Sequence, residues 1–490
     1  MMTAPDIFLF TADCLRAADA SAETMPFCSG FSDIKFTRCF APGTWTLPSH
    51  ASLYTQLSPV FHNVAQRGNK LSQNQVRLQN SVRDLGYQTA IFSENVTFST
   101  QTGFHHGVDY VDDSINYKLF PTGFAAENHA SDVDLDNAID IGRAILSTDY
   151  PLRNLLNTLY GVYSYGRTGE ATDFPHHGER VMEHLLSYVE STDSARLVIT
   201  NLLDTHNPHY TAPERARQRL GVRLSEGEME SLKHASDDRL YLLDSNQPLP
   251  DKAREEFDTW EEVLRSRHKV YRAQIREVDL LLEDWVNALP RKVRTNSLVL
   301  VTGDHGQMFG EEDMIGHQTS LHPAGIQVPL LISVPDSWTG STREVTEPVS
   351  LVDLANAIEC VARGDVTDTE DFVSKLTRQP DDSPVMSAVD GPTWNTQRLR
   401  GDYNDQLVNE LEVRKVAEIV GDQQIVYESN WGSDEIRQTE YRLSRHDREE
   451  LQSEKSGSGN EIIDEWLQTG RRKSGVDKST SQRLKQLGYL

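Results

Sequence analysis

The chain has 490 residues and a formal net charge of −26 at pH 7, and no run approaches the ~18 consecutive apolar residues of a membrane span. The charge argues against non-specific binding to nucleic acid, whose phosphates it would repel. The length allows one large domain with a smaller one beside it.

Lysine is scarce, 13 Lys against 35 Arg, and this acid-rich balance suggests a halophilic surface over a merely acidic mesophilic one. The first residues carry no basic stretch and a strand begins almost at once, so a cytoplasmic protein is expected. The four cysteines, Cys14, Cys28, Cys39 and Cys360, have no CxxC spacing and read as free thiols in a reducing compartment.

In chain order, residues 6–12 read as a buried strand ending at Asp13. Residues 43–57 read as a loop running into a helix whose start is fixed by Pro48. Thr46 then lies at a helix N-terminus, where backbone N–H groups and the dipole favour an anion; by itself this segment favours Thr46 as an N-cap over a nucleophile. Gln75–Leu85 reads as a helix stopped by Gly86. Thr89–Phe92 reads as a strand closing on Ser93, Glu94 and Asn95. Residues 100–175 give no clear pattern. His177–Val189 reads as a helix, and 197–203 as a strand running to Asp204.

Residues 211–268 are charged and helical-looking, like a surface insertion. Tyr271, Ile275, Val278, Leu282, Trp285 and Leu289 mark an amphipathic helix that Pro290 ends. Residues 298–302 form a strand before Asp304, and Gln327–Val334 another. This β-α-β-α-β order predicts a doubly wound, mostly parallel sheet covered by helices. Val413–Val420, Gln424–Glu428 and Thr439–Leu443 read as short antiparallel strands, and the end of the chain as a flexible polar tail with room for one terminal helix.

Ligands of open α/β sheets bind beyond the carboxyl ends of the strands. Asp13, Asp204 and Asp304 all lie there, with His206 and His305 close by. Carboxylates mixed with imidazoles suggest a divalent cation.

The order T-A-D-C-L-R (11–16), A-P-G-T-W-T-L-P-S-H-A-S-L-Y-T-Q-L-S-P (41–59), D-T-H-N-P-H-Y (204–210) and V-T-G-D-H-G-Q-M-F-G-E with G-H (301–317) resembles the sulfatase family of the alkaline-phosphatase superfamily. Residues 86–110 and 324–335 fit the same resemblance. It implies an alkaline-phosphatase-like α/β/α sandwich with a large, mostly parallel sheet plus a small C-terminal antiparallel subdomain. The expected division is a catalytic domain at 1–400 containing the 211–268 insertion, a subdomain at 401–450 and a tail at 451–490.

The resemblance also implies roles. Asp13, Asp304 and His305 match metal ligands, and Thr46 falls at the nucleophile, which is also a ligand. His206 and His317 match residues that contact the transferred or leaving group. Ser49, His50 and Asn95 are expected to bind the anion or support it. One cation is implied (Mg, Mn or Ca, with Zn an alternative); a second, on Asp204, His206, His209 and His317, stays open, as does a supporting role for Asp204 and His209.

Three departures from the family pattern stand out: Cys14 replaces an acid, His50 an arginine, and Gln307 a glutamate. Thr46 is neither Cys nor Ser, so formylglycine is not made there by the usual route. Threonine-nucleophile relatives act on phosphodiesters or phosphonates, or transfer phosphoglycerol. The expected activity is therefore a metal-dependent hydrolase or phosphotransferase acting on a small-molecule, glycan or lipid ester. A true sulfatase and a non-catalytic binding protein are the alternatives.

Overall fold

The computed structural model describes residues 4–113, 178–235, 248–377, 384–391 and 411–469, apart from positions 67, 319, 431, 432, 434 and 456, together with 151–153, 155 and 156. Its strands are β1 (Asp6–Ala12), β2 (Ile34–Phe40), β3 (Gln88–Ser93), β4 (Tyr110–Asp112), β5 (Arg196–Leu202), β6 (Ser297–Gly303), β7 (Met308–Phe309), β8 (Ile315–Gly316), β9 (Gln327–Ser333), β10 (Arg343–Val345), β11 (Val349–Ser350), β12 (Val385–Asp390), β13 (Val413–Val420), β14 (Gln423–Asn430), β15 (Arg437–Leu443) and β16 (Arg448–Lys455). Nine of them form one sheet in the order β10-β2-β9-β6-β1-β5-β3-β4, with β11 beside β2. Strands β12 to β16 form a separate antiparallel sheet. This is the mixed α/β architecture that the sequence predicts.

The strands are apolar on both faces because helices cover both. Ile7 and Leu9 of β1 join Ile199, Leu300 and Leu330 on one face, under the helices Thr46–Thr55, Leu78–Asp84 and Leu351–Arg363. Phe8 and Phe10 point the other way, to Val198, Val299 and the helices Gly178–Ser191 and Trp260–Ala288. The alternation is the period of two of a strand. Trp285 meets Phe8 and Phe10 edge-on at 4.9 and 5.0 Å, a favoured aromatic geometry.

Strand β9 corrects the expectation of a parallel run: it is antiparallel to both β6 and β2. Between β6 and β9 the longest helix is the four-residue Pro323–Ile326, too short for a crossover. The chain instead lays out loops at the carboxyl edge and returns along β6. Strand β2 was not anticipated, although Ile34 and Phe36 are buried within its polar–apolar alternation.

The segment 211–268 is more than a surface decoration. The helix marked by Tyr271 begins at Trp260, where Thr259 and Glu262 form a capping box, and Trp260, Val263 and Val270 pack with Leu232, Leu249 and Phe257 in a core of their own.

Strand β12 lies before residue 401 yet belongs to the second sheet. That sheet also extends past 451 through β16, and the helix Glu461–Thr469 buries Ile462, Ile463, Trp466 and Leu467. Part of the expected polar tail is therefore packed structure, because these four residues fall on one helical face. Residues 470–490 lie outside the described residues, as do 401–410 and most of 114–177.

Trp285 is 2% exposed and packed between two strand phenylalanines. Trp285→Ala should cost about 3–5 kcal/mol of folding stability, read from chemical denaturation midpoints.

Candidate active site and metal centre

Register places the acids. Ala12 pairs with Gly303 across β1 and β6, so the residues that follow, Asp13 and Asp304, leave neighbouring parallel strands side by side. Ala12 also pairs with Leu202 of β5, which makes Leu203, not Asp204, the equivalent of Asp13. The offset of one residue turns Asp204 to the opposite face. There it accepts from the Gly178 backbone at the start of the helix Gly178–Ser191, and burial and Glu277 push its carboxyl up to about 7.

Asp13 is fully buried and contacts much of the site. Oδ2 accepts from Thr46 Oγ1 at 3.1 Å and from Asn95 Nδ2 at 2.6 Å. Asn95 Nδ2 also reaches Thr46 Oγ1 at 3.1 Å. Oδ1 accepts from Cys14 Sγ at 3.3 Å and faces His305 Nε2 at 3.4 Å. Asp304 Oδ1 accepts from the backbone N–H of Cys14 and of His305 at 3.2 and 3.0 Å. Asp304 Oδ2 lies 3.6 Å from His305 Nε2.

Thr46 is the first residue of its helix, with Trp45 at the cap position, so the N-cap reading fails: the hydroxyl points to Asp13 and not to its own helix. The helix is held from behind. Ser49 Oγ donates to Gly43 O at 3.2 Å, and His50 Nδ1 meets Thr46 O at 3.0 Å while its ring lies 4.1 Å from Phe98. Burial pushes His50 down to about 4, so it is neutral. Ser49 and His50 therefore orient Thr46; His50 Nδ1 also lies 3.8 Å from Asp304 Oδ2, and Asn95 contacts Asp13 directly.

His305 Nδ1 faces Gly306 O at 2.9 Å, which puts a proton on Nδ1 and turns Nε2 to the acids. Burial opposes charge on His305, yet Asp304 and Asp13 push it up to about 9. Burial and the Asp13 charge push Asp304 up to about 7. Burial opposes ionisation of Asp13 as well, but His206, His305 and His317 hold it well below the usual range. Among the described residues, the buried Asp304 Oδ2 and His305 Nε2 have no hydrogen-bond partner.

Two adjacent buried acids, an orphaned carboxylate oxygen and an orphaned imidazole nitrogen fit a divalent cation: it would satisfy both atoms and separate the like charges. Asp13, Asp304 and His305 are the residues that would hold it, with Thr46 Oγ1 alongside.

His317 stands next to this cluster. Its ring is 4.7 Å from that of His305 and 5.3 Å from that of His206. His209 is set apart, bonded to Gln274 Oε1 at 2.7 Å and packed on Tyr271 and Phe309.

Tyr271 and Arg16 belong to the site in ways the sequence did not signal, and they adjoin Gln307, which stood out only as a departure from the family pattern. Tyr271 read only as an apolar position of a helix, but its hydroxyl donates to Cys14 O at 2.7 Å and accepts from Arg16 N at 3.0 Å, fixing the turn after Asp13. Arg16 reaches Gln307 O and Glu311. Gln307 Oε1 lies 3.3 Å from His317 Nδ1. Beyond Arg16 and Phe309 a cavity of about 810 Å³ opens, walled by Leu249, Trp260, Leu264, Arg265 and His268.

A sequence model of the family described as "Sulfatase" matches residues 6–361. Over 95 residues the chain is 33% identical to an uncharacterized sulfatase, YidJ, of Escherichia coli K12; this stretch covers 19% of the chain and only 18% of that protein. Among solved structures, a phosphonate monoester hydrolase of Agrobacterium radiobacter superposes with a TM-score of 0.58 at 16% identity, covering 90% of each chain. BT4656, solved in complex with its substrate D-glucosamine-2-N,6-O-disulfate, superposes with a TM-score of 0.57 at 12% identity over 90% of this chain and 91% of its own. At these identities the superpositions establish a shared fold.

If the cation fit is right, a divalent cation at 100 times its Kd should stabilise the folded chain by about 2.7 kcal/mol. Thermal unfolding after chelator treatment, with Mg, Mn, Ca or Zn restored, measures this, and Asp304→Asn should shrink the effect. Absence of any shift for all four cations would contradict the fit.

Proposed function

This chain belongs to the sulfatase family, whose enzymes use divalent metal ions, and on that premise we propose that it hydrolyses phosphorus esters through a covalent bond to Thr46. Phosphodiesters and phosphonates are the favoured substrates, with transfer to an acceptor alcohol a variant of the same chemistry. The observation that carries this reading is the Thr46 hydroxyl, buried at a helix start and hydrogen-bonded to Asp13 and Asn95 at 3.1 Å each.

Threonine supplies an alkoxide but no aldehyde hydrate, which is why the reading departs from sulfate esters despite the family's name. Among proteins of this fold, one is named for phosphonate monoesters and another binds a sulfated sugar, so both ester classes are within its range. Sulfuric ester hydrolysis is thus the rival to be measured.

When bound, the divalent cation would lower the pKa of the Thr46 hydroxyl and draw charge from the ester oxygens. Asp13 Oδ2 takes the direction of the Thr46 proton, and Asn95 Nδ2 holds the hydroxyl oxygen in place. Thr46 Oγ1 attacks phosphorus, forming the O–P bond as the ester P–O bond opposite breaks; the Thr46 proton passes to solvent. We assign His206 and His317, whose rings lie 5.3 Å apart beside this cluster, to the leaving oxygen, which they stabilise by hydrogen bonding while solvent supplies its proton. Burial and the neighbouring His305 and His206 hold His317 well below the usual range, so it acts as a neutral imidazole. Water then cleaves the phosphothreonine, returning the hydroxyl to Asp13.

The 810 Å³ cavity is formed largely by residues 248–268, which supports a role for the insertion in choosing the alcohol part of a small-molecule, glycan or lipid ester. The four free cysteines and the acidic charge are in keeping with a cytoplasmic, salt-adapted setting.

Thr46→Ala and Asp304→Ala should each lower hydrolysis of a bis-nitrophenyl phosphate probe by on the order of 10⁴-fold or more. A panel of nitrophenyl sulfate, phosphate mono- and diesters and a phosphonate, run with Mg, Mn, Ca and Zn, ranks the ester classes. Full activity of Thr46→Ala, or sulfate as the preferred substrate of the parent, would sink the proposal.

A further inference from the structure

We propose that Cys14, His206 and His317 form a second metal site, suited to a borderline transition cation of the zinc class, next to the oxygen-rich site. Their donor atoms all lie within 4.8 Å of one another. The thiol also lies within 4.8 Å of donor atoms of Asp13 and His305, so the two sites meet at Cys14, but the set proposed here is one thiolate with two imidazoles, against the carboxylates that dominate its neighbour. Sulfur and imidazole select zinc-like cations over Mg or Ca, and three protein ligands leave the open position of a reactive centre.

Cys14 is built into place. Its backbone takes a left-handed conformation (φ 66°), sparsely populated for a residue other than Gly, Asn or Asp. Its N–H donates to Asp304 Oδ1, and its C=O accepts from Tyr271. This turn sends Sγ toward His317 Nδ1, 3.7 Å away, and toward Asp13 Oδ1, 3.3 Å away. The histidines are also oriented. His206 Nδ1 faces Asn207 O at 2.9 Å, which puts the proton on Nδ1 and presents Nε2 as a donor; a backbone carbonyl on the second nitrogen is how metal-bound imidazoles are commonly held. His305 is held in the same way by Gly306. The loop bearing His317 is tied to the segment before Thr46, because Gln318 N donates to Thr44 O at 3.1 Å.

The carboxylate expected to serve a second cation, Asp204, faces the helix Gly178–Ser191 instead, and Cys14 stands in its stead. Binding deprotonates the thiol: the S–metal bond forms and the proton goes to solvent. His317 turns its nitrogen from Gln307 to the cation. This inference deepens the proposed function only in that the leaving oxygen would meet the second cation; the donor set stands regardless of which ester is cleaved.

The test uses the full chain, stripped with a chelator and titrated with Co²⁺. The parent should develop a near-ultraviolet thiolate-to-cobalt absorption band; Cys14→Ser should lose it, His317→Ala should need at least about tenfold more Co²⁺, and Asp304→Asn should keep it. X-ray absorption of the zinc-loaded parent, which needs no variant to fold, should show one sulfur at about 2.3 Å. Only nitrogen and oxygen neighbours, or a band that survives Cys14→Ser, would overturn the second site and leave the proposed function intact. A sulfur-bound cation in an Asp304→Asn protein that still cleaves esters at the parent rate would instead overturn the proposed function and support this site.

Discussion

Everything at this site follows from two carboxylates buried side by side. Asp13 and Asp304 leave adjacent parallel strands at matched positions, because Ala12 is paired with Gly303. The close approach leaves no room for a side chain at Gly303, where a Cβ would come within 2.2 Å of Leu15 O. A Cβ at Gly306 would come within 2.0 Å of Ala324 O. Like charges this close and this buried are costly unless something positive sits between them. His305 supplies part of the compensation, and the orphaned atoms on His305 and Asp304 mark where the rest belongs.

The supporting structure keeps that cluster and Thr46 in fixed relation. Strand β12 holds the loop before Thr46: Ser387 Oγ donates to Ala41 O at 2.6 Å and Ala388 N to Pro42 O at 2.9 Å. The same sheet grips the other side of the site through Gln424, which donates to Leu321 O at 2.9 Å, and through Arg448, which pairs with Glu312. The second sheet thus braces both the Thr46 segment and the loop that carries His317. Tyr271 does the same for the turn after Asp13. These contacts act through geometry: each fixes a backbone atom next to a side chain of the candidate site.

Local pattern made β1, β5 and β6 legible, because buried strands are continuous apolar runs, and Asp13 and Asp304 follow directly from them. Periodicity alone placed Asp204 beside them because it also follows an apolar run, while the resemblance left it a supporting or second-cation role. Only pairing shows the one-residue offset that turns it away. Strand β9 was legible as a strand but not in direction, since direction depends on where the intervening loop goes. Strand β2 was hidden by polar residues alternating with Ile34 and Phe36. The terminal helix that the polar tail left room for lies at Glu461–Thr469, a place the polar residues around Ile463 and Trp466 obscured. Tyr271 was visible as a packing residue while its hydroxyl contact was not, because a side chain reaching 257 positions along the chain leaves no local trace. Thr46 shows the reverse: local rules favoured a cap, family resemblance favoured a nucleophile, and the hydroxyl points to Asp13.

The proposed mechanism turns on a covalent bond between Thr46 and the transferred group. Intact-mass and peptide-level mass spectrometry of the protein, acid-quenched during turnover of a diester, tests it most directly. A phosphoryl adduct is expected on the peptide containing Thr46 and absent from Thr46→Ala. Steady turnover with the adduct absent at every quench time, or an adduct on another residue, would contradict it.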